Sequence, residues 1–497
     1  MRAREFPTLL VLALSLTAPA AADEPLSVGS ALQLLADPAP IERVSGGARL
    51  VLQHPTPREV SLTFDEPWEG NACHYVTVFQ DGPLYRMYYR GADTQYTEKT
   101  VRKTHREVAC YAESRDGVRW TRPALGLFDF NGSKANNIVW DGEGTHDFTP
   151  FRDTNPAAPA SARYKAFGRV DGKKGLGLVA FTSPDGIHWT KVSETPVITR
   201  GVFDSQNLAF WDASRGEYRA YVRDFRDGRD IRTCTSKDFE HWTDPVFLEY
   251  EPGRTSELYT NQILPYPRAP HLFVGFPARY WDRGRTKATD ALPRPEYRRV
   301  RGARSPREGT AVTDTMFMTS RDGLKFRVWP ESCVRPGPHA SDSWFYGDSY
   351  QNWGLVETAS AFDDGPPELS VYVMERTMQD RPARLRRHTL RLDGFVSANA
   401  PLSGGEVVTR PLRFSGSKLL LNLSTSAAGS ARVEVQDADG KPLPGFTLAD
   451  AQEAYGDAVE LPVYWKDGAD LKALAGKPVR LRFVLKDADL FAFQSAD

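Results

Sequence analysis

One ten-residue pattern returns four times along the chain and constrains its fold more than any other feature. The strings YAESRDGVRW (111–120), AFTSPDGIHW (180–189), TCTSKDFEHW (233–242) and FMTSRDGLKF (317–326) each run an alternating strand into Ser, any residue, then Asp. Gly follows in three of the four, and an aromatic residue stands three positions further on. Ser-x-Asp-Gly is turn chemistry: the Ser and Asp side chains cap backbone N–H groups, and Gly tolerates a positive φ. The aromatic then anchors the next strand against the sheet. Self-similarity at such a spacing marks an array of like supersecondary units.

A second element precedes each copy: an apolar strand, a turn, and a strand ending near a charged residue. It reads HYVTVFQDGPLYRMYYRG (74–91), TPFRDTNPAAPASARYKAFGRV (149–170), NLAFWDASRGEYRAYVRDF (207–225) and NQILPYPRAPHLFVGFPARYW (261–281). A fifth set, NWGLVETASAFDDGPPELSVYVMER (352–376) with LRRHTLRLDGF (385–395), keeps the order with a degenerate end. Four strands per unit and five units predict an all-β fold, a five-bladed β-propeller over residues 61–393.

After Gly394 the pattern changes. Runs such as KLLLNLST (418–425), ARVEVQD (431–437) and VRLRFVLKD (479–487), separated by turns such as Asp439-Gly440, predict an antiparallel β-sandwich over 394–497. In the N-terminal segment 23–60, Leu26 to Leu35 is expected to form a short helix. Ala48 to Gln53 is expected to be a strand packing back on the C-terminal part. Residues 1–22 read as an export signal. Arg2 and Arg4 precede the apolar run TLLVLALSL, and Ala20-Ala21-Ala22 makes a small-residue cleavage site. The expected location is therefore secreted or periplasmic, and no later stretch reaches the length of a transmembrane helix.

The formal net charge of −1 supplies no global field for nucleic acid or a membrane surface, so neither is an expected partner. The four Cys include no CxxC, and the nine His include no HExxH or other metal spacing. No metal or cofactor is expected.

Strand order fixes where chemistry can sit. In a propeller the starts of the innermost strands and the ends of the second strands share one face. The Ser-x-Asp-Gly turns fall on the other and are structural. The functional face then gathers Glu69 with Asn71, His146 with Asp147, and Asp204 with Asn207. It also gathers Glu257 with Tyr259 and Asn261, and Asp348 with Tyr350. Arg90, Arg169, Arg223 and Arg279 come from second-strand ends. Glu69, Asp147, Asp204 and Glu257 are the catalytic candidates, and the others are candidate substrate contacts. A ring of carboxylates edged with Arg suits glycosidic cleavage, where one group protonates the leaving oxygen and another activates water or attacks. Two long basic connections, 91–107 and 280–312, fall on the same face and favour an anionic carbohydrate.

At this point the chain resembles the five-bladed propeller glycoside hydrolases of family 32 (invertase-like) and family 43 (arabinanase- and xylosidase-like). The resemblance rests on the repeated Ser-x-Asp-x-x-x-Trp hairpins, including SKDFEHW (236–242), and on a β-sandwich after the propeller. It implies a carbohydrate substrate and three carboxylates: base or nucleophile, modulator, and acid. By position these are Glu69, Asp204 and Glu257, with Asp147 as a substitute. The chain lacks the Asn-Asp-Pro-Asn, Arg-Asp-Pro and Glu-Cys signatures of the invertases, which argues against fructan. Two other readings stay open from the residues. One is a non-catalytic carbohydrate-binding propeller that uses Trp281, Trp344 and Tyr350. The other is a polysaccharide lyase with His146 or Tyr259 as base.

Overall fold

The computed structural model describes residues 24–172 and 175–497. The export-signal reading of residues 1–22 lies outside the described residues. Five sheets follow one another along the chain, four of four strands and one of seven. Their innermost strands are Thr77–Asp81, Thr149–Arg152, Leu208–Asp212, Leu264–Tyr266 and Val356–Thr358. All five sheets contribute to the wall of one cavity of about 540 Å³, through Phe79, Phe151, Phe210, Tyr266 and Val356 among others. The sheets therefore stand as blades around a common axis.

The ring is closed by chain from before the first blade. Thr56–Thr63 is the outermost strand of the fifth sheet, antiparallel to Arg384–Arg391. Most of that strand falls within 23–60, a stretch whose place only its partner strand reveals. Closure is tight at the inner edge as well. The Val78 N–H donates to Trp353 O at 2.8 Å, and the Trp353 N–H donates to Val76 O at 3.0 Å. A β-carbon on Gly354 would meet the Val78 carbonyl oxygen at 1.9 Å, and its φ is +126°. Only glycine lets the fifth blade meet the first there. The axis itself is plugged: Gln206 Nε2 reaches Val76 O at 3.2 Å, and Gln262 Nε2 donates to Gln206 Oε1 at 2.8 Å.

The repeated turns behave as their residues imply. In each, the Ser Oγ accepts from the N–H three residues on at 2.9 Å. The Asp Oδ1 accepts two further backbone N–H groups at 2.8 to 2.9 Å. Gly117, Gly186 and Gly323 take positive φ, and Phe239 holds the same place in the third blade at +72°. A left-handed Phe is strained. Packing offsets the strain, since its ring stacks on Phe167 at 5.0 Å and meets Tyr218 and Trp242 edge-on at 5.3 and 5.7 Å. Each turn follows a third strand, which runs parallel to the first, so all four lie away from the inner-strand starts.

Outside the blades, ten strands form one hydrogen-bonded network, four of them from before the first blade. Lys418–Asp437 and Val479–Ala496 pair along most of their length, with a register break between Thr425 and Ser430. They enclose a core that includes Leu421, Val433, Phe483, Leu485 and Phe493. Leu26–Leu35 is not helical. Leu26–Gly29 is a strand parallel to Leu412–Phe414, and Gln33–Leu34 pairs with Val479–Ala496. Periodicity cannot separate helix from strand in so short an apolar run, and the open edge of the C-terminal sheet decides. Arg49–Leu52 pairs with Val396–Ala400, within the stretch expected to pack back on the C-terminal part. Cys73, Cys110, Cys234 and Cys333 are buried and free. No helix among the described residues is long and apolar enough to cross a membrane.

Candidate functional site

A charged cluster occupies the axial mouth opposite the repeated turns. Four non-glycine residues turn the chain into it with left-handed backbone: Tyr75 (φ +56°), Phe203 (+58°), Gln262 (+47°) and Ser349 (+62°). Such strain concentrates where neighbouring side chains have to be aimed. Around the mouth the Tyr75 ring lies 5.8 Å from His146, and the Tyr259 ring lies 5.6 Å from Tyr350.

His146 is the hub. It stands in the single 3-10 turn Thr145–Asp147 between the first and second blades. Its Nδ1 faces Glu107 Oε2 at 3.1 Å, and its Nε2 faces Asp204 Oδ1 at 3.7 Å. Arg90 Nη1 lies 3.1 Å from Nδ1, while the rest of that guanidinium is fixed on Ala72 O. Burial and the Arg90 charge lower the imidazole pKa. The two carboxylates outweigh them and leave it above its ordinary value. Asp204 moves the other way. It is half exposed, and His146 first, then Arg223 and Arg169 at 3.9 and 3.4 Å, hold its carboxyl near a pKa of about 2. Burial resists the same shift in Glu107, but His146, Arg90 and Lys103 keep it ionised far below the usual range.

Asp147 lies beneath this layer, 1% exposed. Its Oδ1 accepts the Arg169 N–H at 2.6 Å, and its Oδ2 accepts from Asn207 Nδ2 at 2.7 Å. Burial raises its pKa to about 6. Asn207 in turn accepts the Arg223 N–H at 3.1 Å. This pair braces the second blade against the third and does not reach the opening. Glu257 forms the other side of the mouth. Its Oε2 accepts the Arg229 backbone N–H at 3.0 Å and Arg229 Nη1 at 2.7 Å. Arg229 stacks over Tyr280 at 4.2 Å, and Tyr259 lies between Arg223 and Arg229 at 5.3 and 5.5 Å. That aromatic row joins the Asp204 end to the Glu257 end.

Several residues expected here stand elsewhere. Glu69 is 2% exposed and does not reach the mouth. It binds the Tyr89 hydroxyl at 2.5 Å, Arg122 at 3.0 Å and the Glu66 N–H at 3.1 Å. The first inner strand begins only at Thr77, so residues 66–71 belong to the connection from the fifth blade, and His74 and Tyr75 take the axial place. Asn71 ties Thr94 O to Gln379 O in that same connection. Asn261 is buried under the mouth, donating to Gln206 O and Tyr221 O. Asp348 is buried too, accepting the Thr377 N–H at 2.8 Å, and burial raises its pKa to about 8. Arg279 pairs with Asp314 at 2.8 Å in a separate cavity of about 620 Å³ that also holds Trp281 and Trp344.

The mouth also uses residues that no inner-strand rule selects. Glu107 and Arg229 stand at the start of third strands, which run parallel to the first and so open on the same face. Their signal was available as a charged residue at the opening of those two third strands. The basic connection 280–312 is not simply solvated. It folds into the helices Lys287–Asp290, Pro295–Gly302 and Pro306–Thr310, with Arg298 and Arg301 buried.

Fold and mouth together define a β-propeller with one chemically equipped axial face. No family model matches the chain, and no curated protein matches it. Among solved structures it is similar to an N-acetylgalactosamine deacetylase from F. plautii in complex with blood group B trisaccharide. The identity is 15% over 73% of this chain and 96% of that one, with a TM-score of 0.42. A thermostable family-43 glycoside hydrolase gives 14% over 66% of this chain and 93% of its own, at 0.41. A glycosyl hydrolase from Bacteroides ovatus gives 13% over 70% and 96%, at 0.37.

Proposed function

We propose that the axial mouth hydrolyses glycosidic bonds, with His146 as the acid and Glu257 as the base. The supporting observation is the opposite tuning of adjacent groups, an imidazole held above its ordinary pKa by a carboxylate held near 2. Glycoside hydrolysis needs one group that gives a proton to the leaving oxygen and one carboxylate that accepts a proton from water. His146 supplies the first, with Asp204 and Glu107 favouring its protonated form. Glu257, across the Tyr259 row, supplies the second. Water attacks the anomeric carbon as Glu257 takes its proton, the bond to the leaving oxygen breaks, and His146 protonates that oxygen. Asp204 is too strongly compensated to accept a proton and acts as the modulator.

The test is sugar release from a panel of neutral and charged plant and algal polysaccharides. The wild type is expected to generate new reducing ends that Glu257→Gln does not. An unsaturated uronate product would instead identify a lyase, and retention without release would identify a binding module.

We also propose that the protein is exported with loss of residues 1–22. N-terminal sequencing of the periplasmic or medium fraction is expected to begin at Asp23. A cytosolic chain beginning at Met1 would rule this out.

A further inference from the structure

The mouth holds more positive charge than its carboxylates satisfy. Resting on the reading above only for where the sugar lies, we infer that Arg223, Arg229 and Arg307 seat an anionic substituent of the substrate. The group is a carboxylate or a sulfate ester.

Arg223 is 3% exposed and stands 3.9 Å from Asp204, too far for a hydrogen bond. Its Nε and Nη1 are buried without any hydrogen-bond partner. Asp204 is in any case shared with Arg169 and His146. Arg229 spends one nitrogen on Glu257 and leaves Nε buried and unpartnered, and Arg307 Nη1 is in the same condition. The three guanidiniums face one floor. Arg307 lies 5.1 Å from the Tyr346 ring, Arg229 lies 4.2 Å from Tyr280, and those two rings meet at 5.6 Å. The Arg307 charge acts against that of Arg229. Arg307 has the Tyr346 hydroxyl and the charge of Glu308 beside it, and Glu308 also accepts from the Tyr96 hydroxyl.

Holding three guanidiniums together with buried N–H groups unpartnered costs free energy that their carboxylate neighbours only partly return. An anion in the mouth would recover it. Guanidinium forks match carboxylate and sulfate oxygens in pairs, and such charge-assisted bonds are about twice as strong as neutral ones.

The test is affinity electrophoresis in gels containing polygalacturonate, dextran sulfate or pullulan. The first two separate a carboxylate from a sulfate, and the third is neutral. The wild type is expected to be retarded by at least one charged polymer and not by pullulan. Arg307→Gln should weaken that retardation about ten-fold or more, and Arg307→Lys should keep part of it. Arg304→Gln, an exposed residue on the same segment, should match the wild type. Retardation by pullulan alone, by no polymer, or equally for Arg307→Gln and Arg304→Gln would overturn the inference. The hydrolase reading is scored separately, because His146→Gln should stop sugar release yet still be retarded by the charged polymer. A protein that binds a charged polymer and releases nothing would keep the anion seat and lose the hydrolase.

Discussion

Replacing His146 by Gln lowers kcat by about 10²- to 10⁴-fold and removes the alkaline limb of the pH–rate profile. The sign follows from the role. An acid must carry its proton, so the rate falls as pH rises through the His146 pKa, which its carboxylate neighbours place above the ordinary value. The wild type therefore stays active above a pH of about 6.5, the usual imidazole midpoint. Asp204→Asn gives a different signature. It removes a carboxylate that retains the proton, so the alkaline limb moves to lower pH while kcat on its acid side is largely kept. Glu257→Gln lowers the rate at every pH, since no group then takes the proton from water. The measurement is kcat/KM against pH for the wild type and the three variants on whichever polysaccharide releases sugar. If Asp204→Asn abolishes the rate throughout and His146→Gln leaves the limb in place, Asp204 is the base and His146 only positions it.

The architecture was legible because turns and alternation are local. Ser114, Ser183, Ser236 and Ser320 each announce a third-strand end through bonds made within a few residues. The mouth was only half legible. His146, Asp204, Arg223 and Glu257 could be placed because strand order alone puts them at the axial end. Glu69 was misplaced by the same rule, since the rule needs to know where the first strand begins. Nothing local distinguishes a polar residue eight positions before Thr77 from one immediately before it. Arg307 escaped for another reason. Its place depends on lying beside Tyr346, a contact between segments far apart in sequence. The strands Leu26–Gly29 and Thr56–Thr63 show the same limit. Each is defined by a partner more than 300 residues away, Leu412–Phe414 and Arg384–Arg391.

Glu69 supplies the prediction with the largest effect on stability. Arg122→Met keeps most of the side-chain volume but leaves the Glu69 carboxyl buried with only the Tyr89 hydroxyl and the Glu66 N–H. Stripping one partner from a buried ion pair costs about 3–5 kcal/mol. The loss should depend on pH. Burial outweighs Arg122 and raises the folded pKa of Glu69 from 4.5 to about 7. The folded protein therefore holds this proton more tightly than the unfolded chain. Its contribution is most favourable below the unfolded pKa and declines as pH rises toward 7. Without Arg122 the folded pKa rises further, so the decline extends to higher pH and the variant's deficit grows. Urea unfolding at about pH 5 and pH 8 should show a small penalty at the first and one larger by about 1.4 kcal/mol at the second, with the full cost reached only at higher pH. Adding Glu69→Gln removes the buried charge and should restore most of the stability at the higher pH. A penalty equal at both pH values, unrelieved by Glu69→Gln, would mean that Arg122 acts there through packing and not through charge.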